Sequence, residues 1–173
     1  MPDEIASEQL PSQEIPGTMQ TVGVLIFNEN NDKVLMVKHT GAAQNEEGIF
    51  GIPAGKIELG ESPQEAAIRE LSEETGLQTT EKNLEQFENN FFGADLVRTN
   101  TGELRHGHMR VYHCNAYEGE LKEDEKTIPE WVDLDVIKQW AEEDKGKEIW
   151  EKKRLMPNIS HAIQNYLENL KKQ

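Results

Sequence analysis

The sequence predicts an α/β fold, and three observations carry that expectation. Short runs rich in β-branched and aromatic residues recur along the chain, each bounded by turn residues. One strongly capped helix sits among them, and amphipathic helices close the chain. At 173 residues the chain suits one domain with a sizeable core, with neither an internal repeat nor a second boundary.

The elements follow in order. Residues 1–18 carry four acids, Pro2, Pro11, Pro16 and Gly17, with few large apolar side chains, and read as an N-terminal arm or disordered lead. Residues 19–173 form the domain. Thr21–Phe27 (TVGVLIF) and Lys33–Lys38 (KVLMVK) are strands, joined by a hairpin loop over residues 28–32 (NENND). Gly41–Gly48 is a polar loop leading to Phe50–Glu58, where Pro53 and Gly55 let the backbone turn tightly. A helix of about thirteen residues then starts at Ser62-Pro63-Gln64-Glu65. Ser62 caps, Pro63 loses nothing at the first helical position, and Glu65 completes a capping box. Gly76 ends it, because a left-handed residue after the last turn costs glycine least. Leu84–Phe92 and Gly107–Tyr117 read as strands around a turn near Asn100-Thr101-Gly102. Trp131–Leu134 is a short strand feeding a helix at about Val136–Glu143. Pro157 opens a last helix with Ile159, Ala162, Ile163, Tyr166, Leu167 and Leu170 on its apolar side.

The capped helix concentrates charge. At about 100° per residue, Glu70, Glu73 and Glu74 fall within roughly 100° on one face, beside a stripe of Ala67, Ile68, Leu71 and Thr75. Like charges so placed repel by about 0.2–0.5 kcal/mol per facing pair. Arg69 is four residues from both Glu65 and Glu73, but one guanidinium cannot neutralise three carboxylates. Such a face is either simply solvated or built for a hard divalent ion, Mg²⁺ or Mn²⁺, which takes carboxylate and phosphate oxygens.

The spacing decides between those readings. Gly55 is followed after five residues by Glu61, then after seven by Arg69-Glu70-Leu71, then by Glu73-Glu74 and Gly76-Leu77. This is the complete Nudix box, G-x5-E-x7-R-E-U-x-E-E-x-G-U with U apolar, so the chain resembles the MutT-like Nudix hydrolases. The resemblance implies an α/β/α sandwich with a mixed sheet and hydrolysis of a nucleoside diphosphate linked to some group X. It also implies a Mg²⁺ cofactor, with Mn²⁺ as substitute, held by Glu70, Glu73 and Glu74 and by the main-chain carbonyl of Ala54, the residue after Pro53. Family members differ in whether the general base lies in the box or in a later loop. Glu70 is the first choice here, with Arg69 orienting the carboxylates. The later loop, residues 118–126, reads by composition as solvated, but in relatives such a loop before a Glu-Trp pair delivers one further glutamate. Counting back from Glu130-Trp131 gives Glu125, with Glu123 and Glu120 behind it.

The substrate pocket is less defined. Lys56 is a candidate for the leaving phosphate. Asn158 matches the place where a MutT enzyme reads an oxidised guanine, since an amide both donates and accepts, yet Asn is also a good N-cap. Phe50, Phe91, Phe92 and Trp131 are either base-stacking or core residues. His106, His108 and His113 lack the spacing of a zinc site. Pro53-Ala54-Gly55 is the variant common among relatives resembling ADP-ribose pyrophosphatases, but the proline that marks ADP-ribose hydrolases some fifteen residues beyond the box is absent.

Composition sets the remaining bounds. Eighteen basic against 33 acidic residues leave a formal charge of −15, which argues against polymeric nucleic acid or anionic membrane as partners. A nucleotide is still admissible, because a metal and a local basic pocket can carry its phosphates. No apolar run spans a bilayer, no signal-peptide pattern is seen, and the single cysteine cannot form an internal disulfide, so a cytoplasmic location is expected. The expected activity is conversion of a nucleoside triphosphate, oxidised purines included, to monophosphate and pyrophosphate. The alternatives are hydrolysis of ADP-ribose or a nucleotide sugar and, from another class, a Nudix-fold binding module without turnover. The chain is expected to be a monomer or homodimer.

Overall fold

A computed structural model describes residues 19–40, 48–86, 91–97, 104–148, 151–156 and 158–172. The N-terminal arm, the body of the Gly41–Gly48 loop, the turn at 100–102 and Pro157 lie outside the described residues, as do the side chains of Phe91 and His106. In chain order the elements are β1 (Met19–Leu25), β2 (Lys33–His39), β3 (Phe50–Gly51), β4 (Ala54–Lys56), α1 (Pro63–Thr75), a 3₁₀ turn (Glu81–Asn83), β5 (Leu84–Glu85), β6 (Phe91–Val97), β7 (Leu104–Cys114), β8 (Thr127–Asp133), α2 (Leu134–Lys145) and α3 (Ile159–Lys171).

The strands form two sheets. In the first, β1 runs antiparallel to β4 and parallel to β7, and β7 pairs antiparallel with both β5 and β6, so this sheet is mixed. In the second, β2 lies between β3 and β8, all antiparallel. The expected hairpin is present at its tip only. Leu35 N–H donates to Ile26 O (2.9 Å), Asn28 N–H donates to Lys33 O (3.1 Å), and beyond this bridge β1 and β2 diverge into different sheets.

The core explains the layers. Every residue from Val22 to Phe27 is buried, as the continuous apolar run requires of a strand covered on both faces. Val22, Val24 and Ile26 pack with Ala66, Ala67 and Leu71 of α1; the alternating Leu25 and Phe27 pack with Ile159, Ala162 and Tyr166 of α3 and Ile137 of α2. This is the α/β/α sandwich.

Some boundaries differ from expectation. β8 starts at Thr127 rather than Trp131, and it includes Pro129. Among the described residues β8 pairs only with β2, and an edge strand tolerates the missing N–H. α2 runs from Leu134 to Lys145, longer than expected at both ends. The strand expected over 84–92 is instead the short β5 and the separate β6, and β7 begins and ends three residues earlier than expected.

Candidate active site

Two caps fix α1. The Ser62 hydroxyl accepts from Glu65 N–H (3.1 Å) and the Glu65 carboxylate accepts from Ser62 N–H (3.0 Å). Gly76 closes the other end at φ 84°, donating its N–H to Ser72 O. The helix thereby carries Glu70 and Glu74 onto β4. A Cβ on Gly55 would lie 2.1 Å from Glu70 Cδ. Any side chain there would have to push the Glu70 carboxylate aside, so glycine is favoured by contact rather than by a left-handed φ. Glu74 accepts a hydrogen bond from Ala54 N–H at 2.6 Å.

Arg69 organises the carboxylates. Its Nε and Nη2 donate to the two oxygens of Glu61 (2.7 and 2.9 Å), Nη1 donates to Glu70 (2.7 Å) and Glu73 (3.3 Å), and Nη2 also reaches Lys56 O (2.9 Å). The bidentate partner is thus Glu61, eight residues back across the turn; Glu65, one of the two partners its spacing offered, is taken up by the cap. A planar guanidinium suits this fork, which a lysine could not reproduce.

The electrostatics divide the acids into two kinds. The hydrogen bond from Arg69 pulls Glu61 down to about 2. Burial pushes Glu70 up, with Arg69 opposing it. Burial also pushes Glu74 up to about 8, against the Ala54 N–H, with repulsion from Glu70, Asp124 and Glu73 adding to the rise. Among the described residues no three carboxylate, imidazole or thiol side chains converge closely enough to cage a metal ion. The donor chemistry nevertheless fits a hard divalent cation, because crowded, partly buried carboxylates that raise one another are what such an ion relieves. To hold one, Glu74 and Glu70 must turn from Ala54 N–H and Arg69 toward it.

The acidic loop is docked, not free. Lys122 N–H donates to Thr75 O (2.8 Å), Gln78 and Glu118 exchange backbone bonds, and Thr127 Oγ1 donates to Glu74 O (3.3 Å). Asp124 Oδ1 accepts from Lys126 N–H (2.7 Å) and Thr127 N–H (2.8 Å), fixing the turn into β8. Asp124 is the loop charge that acts on Glu74, a role the sequence reading missed; its signal is the Asp-x-x-Thr spacing of an Asx turn. Glu125 is exposed, and its carbonyl accepts from Thr40 Oγ1.

The remaining candidates separate by environment. Lys56 is exposed at the end of β4, beside Arg69. Asn158 occupies the N-cap of α3, but at φ 68° its side chain makes no cap bond; its amide instead donates to Gly93 O on β6 (2.9 Å). Phe50 and Phe92 are core, Phe50 lying against Trp140, and Trp131 packs at the edge of the α1-side core. His108 is buried, and His113 packs on Tyr166, whose ring stacks in turn on Phe27. No described helix is long and apolar enough to cross a membrane.

Comparison with known proteins matches a family model described as NUDIX domain to residues 17–153. The chain is 32% identical over 113 residues to an oxidized purine nucleoside triphosphate hydrolase of Danio rerio, covering 64% of this chain and 65% of that protein. It is 41% identical over 76 residues to the m7GpppN-mRNA hydrolase NUDT17 of Xenopus laevis, covering 43% of this chain and 25% of that protein. The matches thus span less than two thirds of these relatives' lengths. A MutT NUDIX hydrolase from Burkholderia pseudomallei shares the fold, with a TM-score of 0.60 at 21% identity, over 86% of this chain and 97% of that one.

Proposed function

The chain belongs to the Nudix family, and from that premise we propose that it is a Mg²⁺-dependent pyrophosphohydrolase of nucleoside triphosphates, oxidised purine nucleotides included. The observation that carries this reading is the pair of half-buried carboxylates at β4: Glu70 seated on Gly55 and held by Arg69, and Glu74 one turn on. Glu70, Glu73, Glu74 and the Ala54 carbonyl would hold the metal ion, which when bound neutralises charge developing on the phosphates. Glu70 takes a proton from a water whose oxygen bonds to phosphorus as the anhydride P–O bond breaks and pyrophosphate departs. A carboxyl raised toward neutrality by burial suits that role. Arg69 orients Glu70, Lys56 meets the leaving phosphate, and Glu125 is the additional carboxylate of the docked loop. Asn158, at the N-cap of α3 and bonded to β6, reads the base.

The substrate assignment is supported by the Danio rerio relative, named for oxidised purine nucleoside triphosphates. One buried cysteine, Cys114, fits a reducing compartment, and we assign the protein to the cytoplasm. Product analysis with Mg²⁺ over canonical and 8-oxo triphosphates, ADP-ribose and nucleotide sugars tests the reading. The expected products are a nucleoside monophosphate and pyrophosphate from a triphosphate. Ribose phosphate from ADP-ribose as the preferred reaction would overturn it.

A further inference from the structure

Asp144 carries a charge at the wrong end of its helix. It stands in the last turn of α2, where the unpaired carbonyls disfavour an anion, yet its side chain is only 12% exposed. Its oxygens are directed off the helix. Oδ1 and Oδ2 accept from Arg154 N–H (2.9 and 3.1 Å), Oδ2 also accepts from Leu155 N–H (2.9 Å), and Lys147 Nζ approaches Oδ1 at 3.3 Å.

Those two N–H groups belong to a segment that lies against β3. Phe50 N–H donates to Arg154 O (2.7 Å), and Met156 N–H donates to Phe50 O (2.8 Å), so Leu155 bridges Phe50 in parallel. The register places Met156 over Gly51, where a Cβ would lie 2.9 Å from Met156 Cγ and 3.8 Å from His39 Nε2. His39 is itself 9% exposed, with an Nδ1 that no described group satisfies. Two residues beyond Met156 comes Asn158, with its left-handed backbone and its amide on Gly93 O. β6, which carries Gly93, is three strands from β4 in the first sheet, about 14 Å at ordinary strand spacing. Among the described residues the Arg154–Met156 backbone is held to α2 by Asp144, with the Arg154 side chain adding a longer contact to Glu143 (4.0 Å) and lying over Trp140.

We propose that Asp144 is a positioning residue for substrate selectivity, acting through Arg154–Met156 to place Met156 and Asn158. The proposal rests on the reading of Asn158 as the group that faces the base. Among the described residues the Asp144 carboxylate bonds to Arg154, Leu155 and Lys147 and not to the carboxylate site at β4. Removing its side chain leaves two backbone donors without their acceptor and frees the segment to shift. Losing a hydrogen bond at a recognition group costs on the order of tenfold in affinity.

The test is steady-state kinetics of the full chain with 8-oxo-dGTP and dGTP, comparing wild type, Asp144→Asn, Asp144→Ala, Asn158→Ala and the Asp144→Ala/Asn158→Ala double variant. Asp144→Ala should lower the ratio of kcat/KM for the two nucleotides about tenfold or more, through KM, with kcat within about twofold of wild type. Asp144→Asn, which keeps one acceptor oxygen, should fall between. The double variant should be no less selective than Asn158→Ala, because both changes act through one element. A uniform fall in kcat for both nucleotides would show a merely structural role and overturn the proposal. Additive effects on the ratio would overturn it also. Retained selectivity in Asp144→Ala would defeat the proposal alone, whereas a wild type that does not discriminate would defeat the base-reading role of Asn158 and this proposal with it.

Discussion

Gly55 shows how much a single hydrogen atom can hold. Glu70 rests where a Cβ would stand, so Gly55→Ala displaces the carboxylate from Arg69 and from its seat against β4. The expected result is a fall in kcat of about a hundredfold or more with the circular-dichroism spectrum unchanged. Near-normal turnover would contradict the contact. Arg69→Lys should also fail, because an ammonium cannot bridge Glu61, Glu70 and Glu73 together; a kcat loss of about tenfold or more is expected. Glu74 yields a pH prediction. Its carboxyl is raised from 4.5 to about 8, so in that window the metal-free folded state holds a proton the unfolded chain has released. Stability from this group is therefore greatest below pH 4.5 and declines as pH rises toward 8, by up to about 1.4 kcal/mol per unit. Glu74→Gln should flatten that decline in metal-free melting curves. An unchanged slope in the variant would sink the assignment. These residues were legible as types and spacings, but not as contacts: the spacing named Arg69 as an organiser and could not show that its main partner is Glu61.

At the scale of the element, α1 was the most legible part of the chain, since caps and periodicity are local properties. Ser62→Ala removes the acceptor for Glu65 N–H and should cost about 1 kcal/mol in denaturant unfolding without changing kcat. Leu71, fully buried between α1 and β1, should cost about 2–5 kcal/mol when cut to alanine. The strands were legible as runs but not as partners. That β1 would pair in parallel with β7, and that the β1–β2 hairpin would part into two sheets, depends on contacts far apart in sequence. The start of β8 was hidden because Pro129 argues against a strand until its edge position is known. The acidic loop looked solvated because its anchoring depends on backbone groups of α1 and on Asp124, none of which a composition reveals.

Over the whole molecule, the continuous burial of Val22–Phe27 between α1 and the α2–α3 layer makes a rigid frame from which β4 and α1 hold the carboxylates together. The α/β/α sandwich was legible through its box, whereas the surroundings of Asn158 were not, because its amide bonds to Gly93 on β6 and Asp144 holds the segment that leads to it. A divalent cation bound to carboxylates assembled only on folding should stabilise the native state, by about 2.7 kcal/mol at a hundred times its Kd, and raise Tm. Mg²⁺ should also weaken the pH dependence that Glu74 confers. The role of Glu70 is decided by kcat of Glu70→Gln with a preferred triphosphate at saturating Mg²⁺, measured beside its melting temperature. Turnover should fall by orders of magnitude in a protein that remains folded. A folded variant with nearly normal kcat would contradict that role.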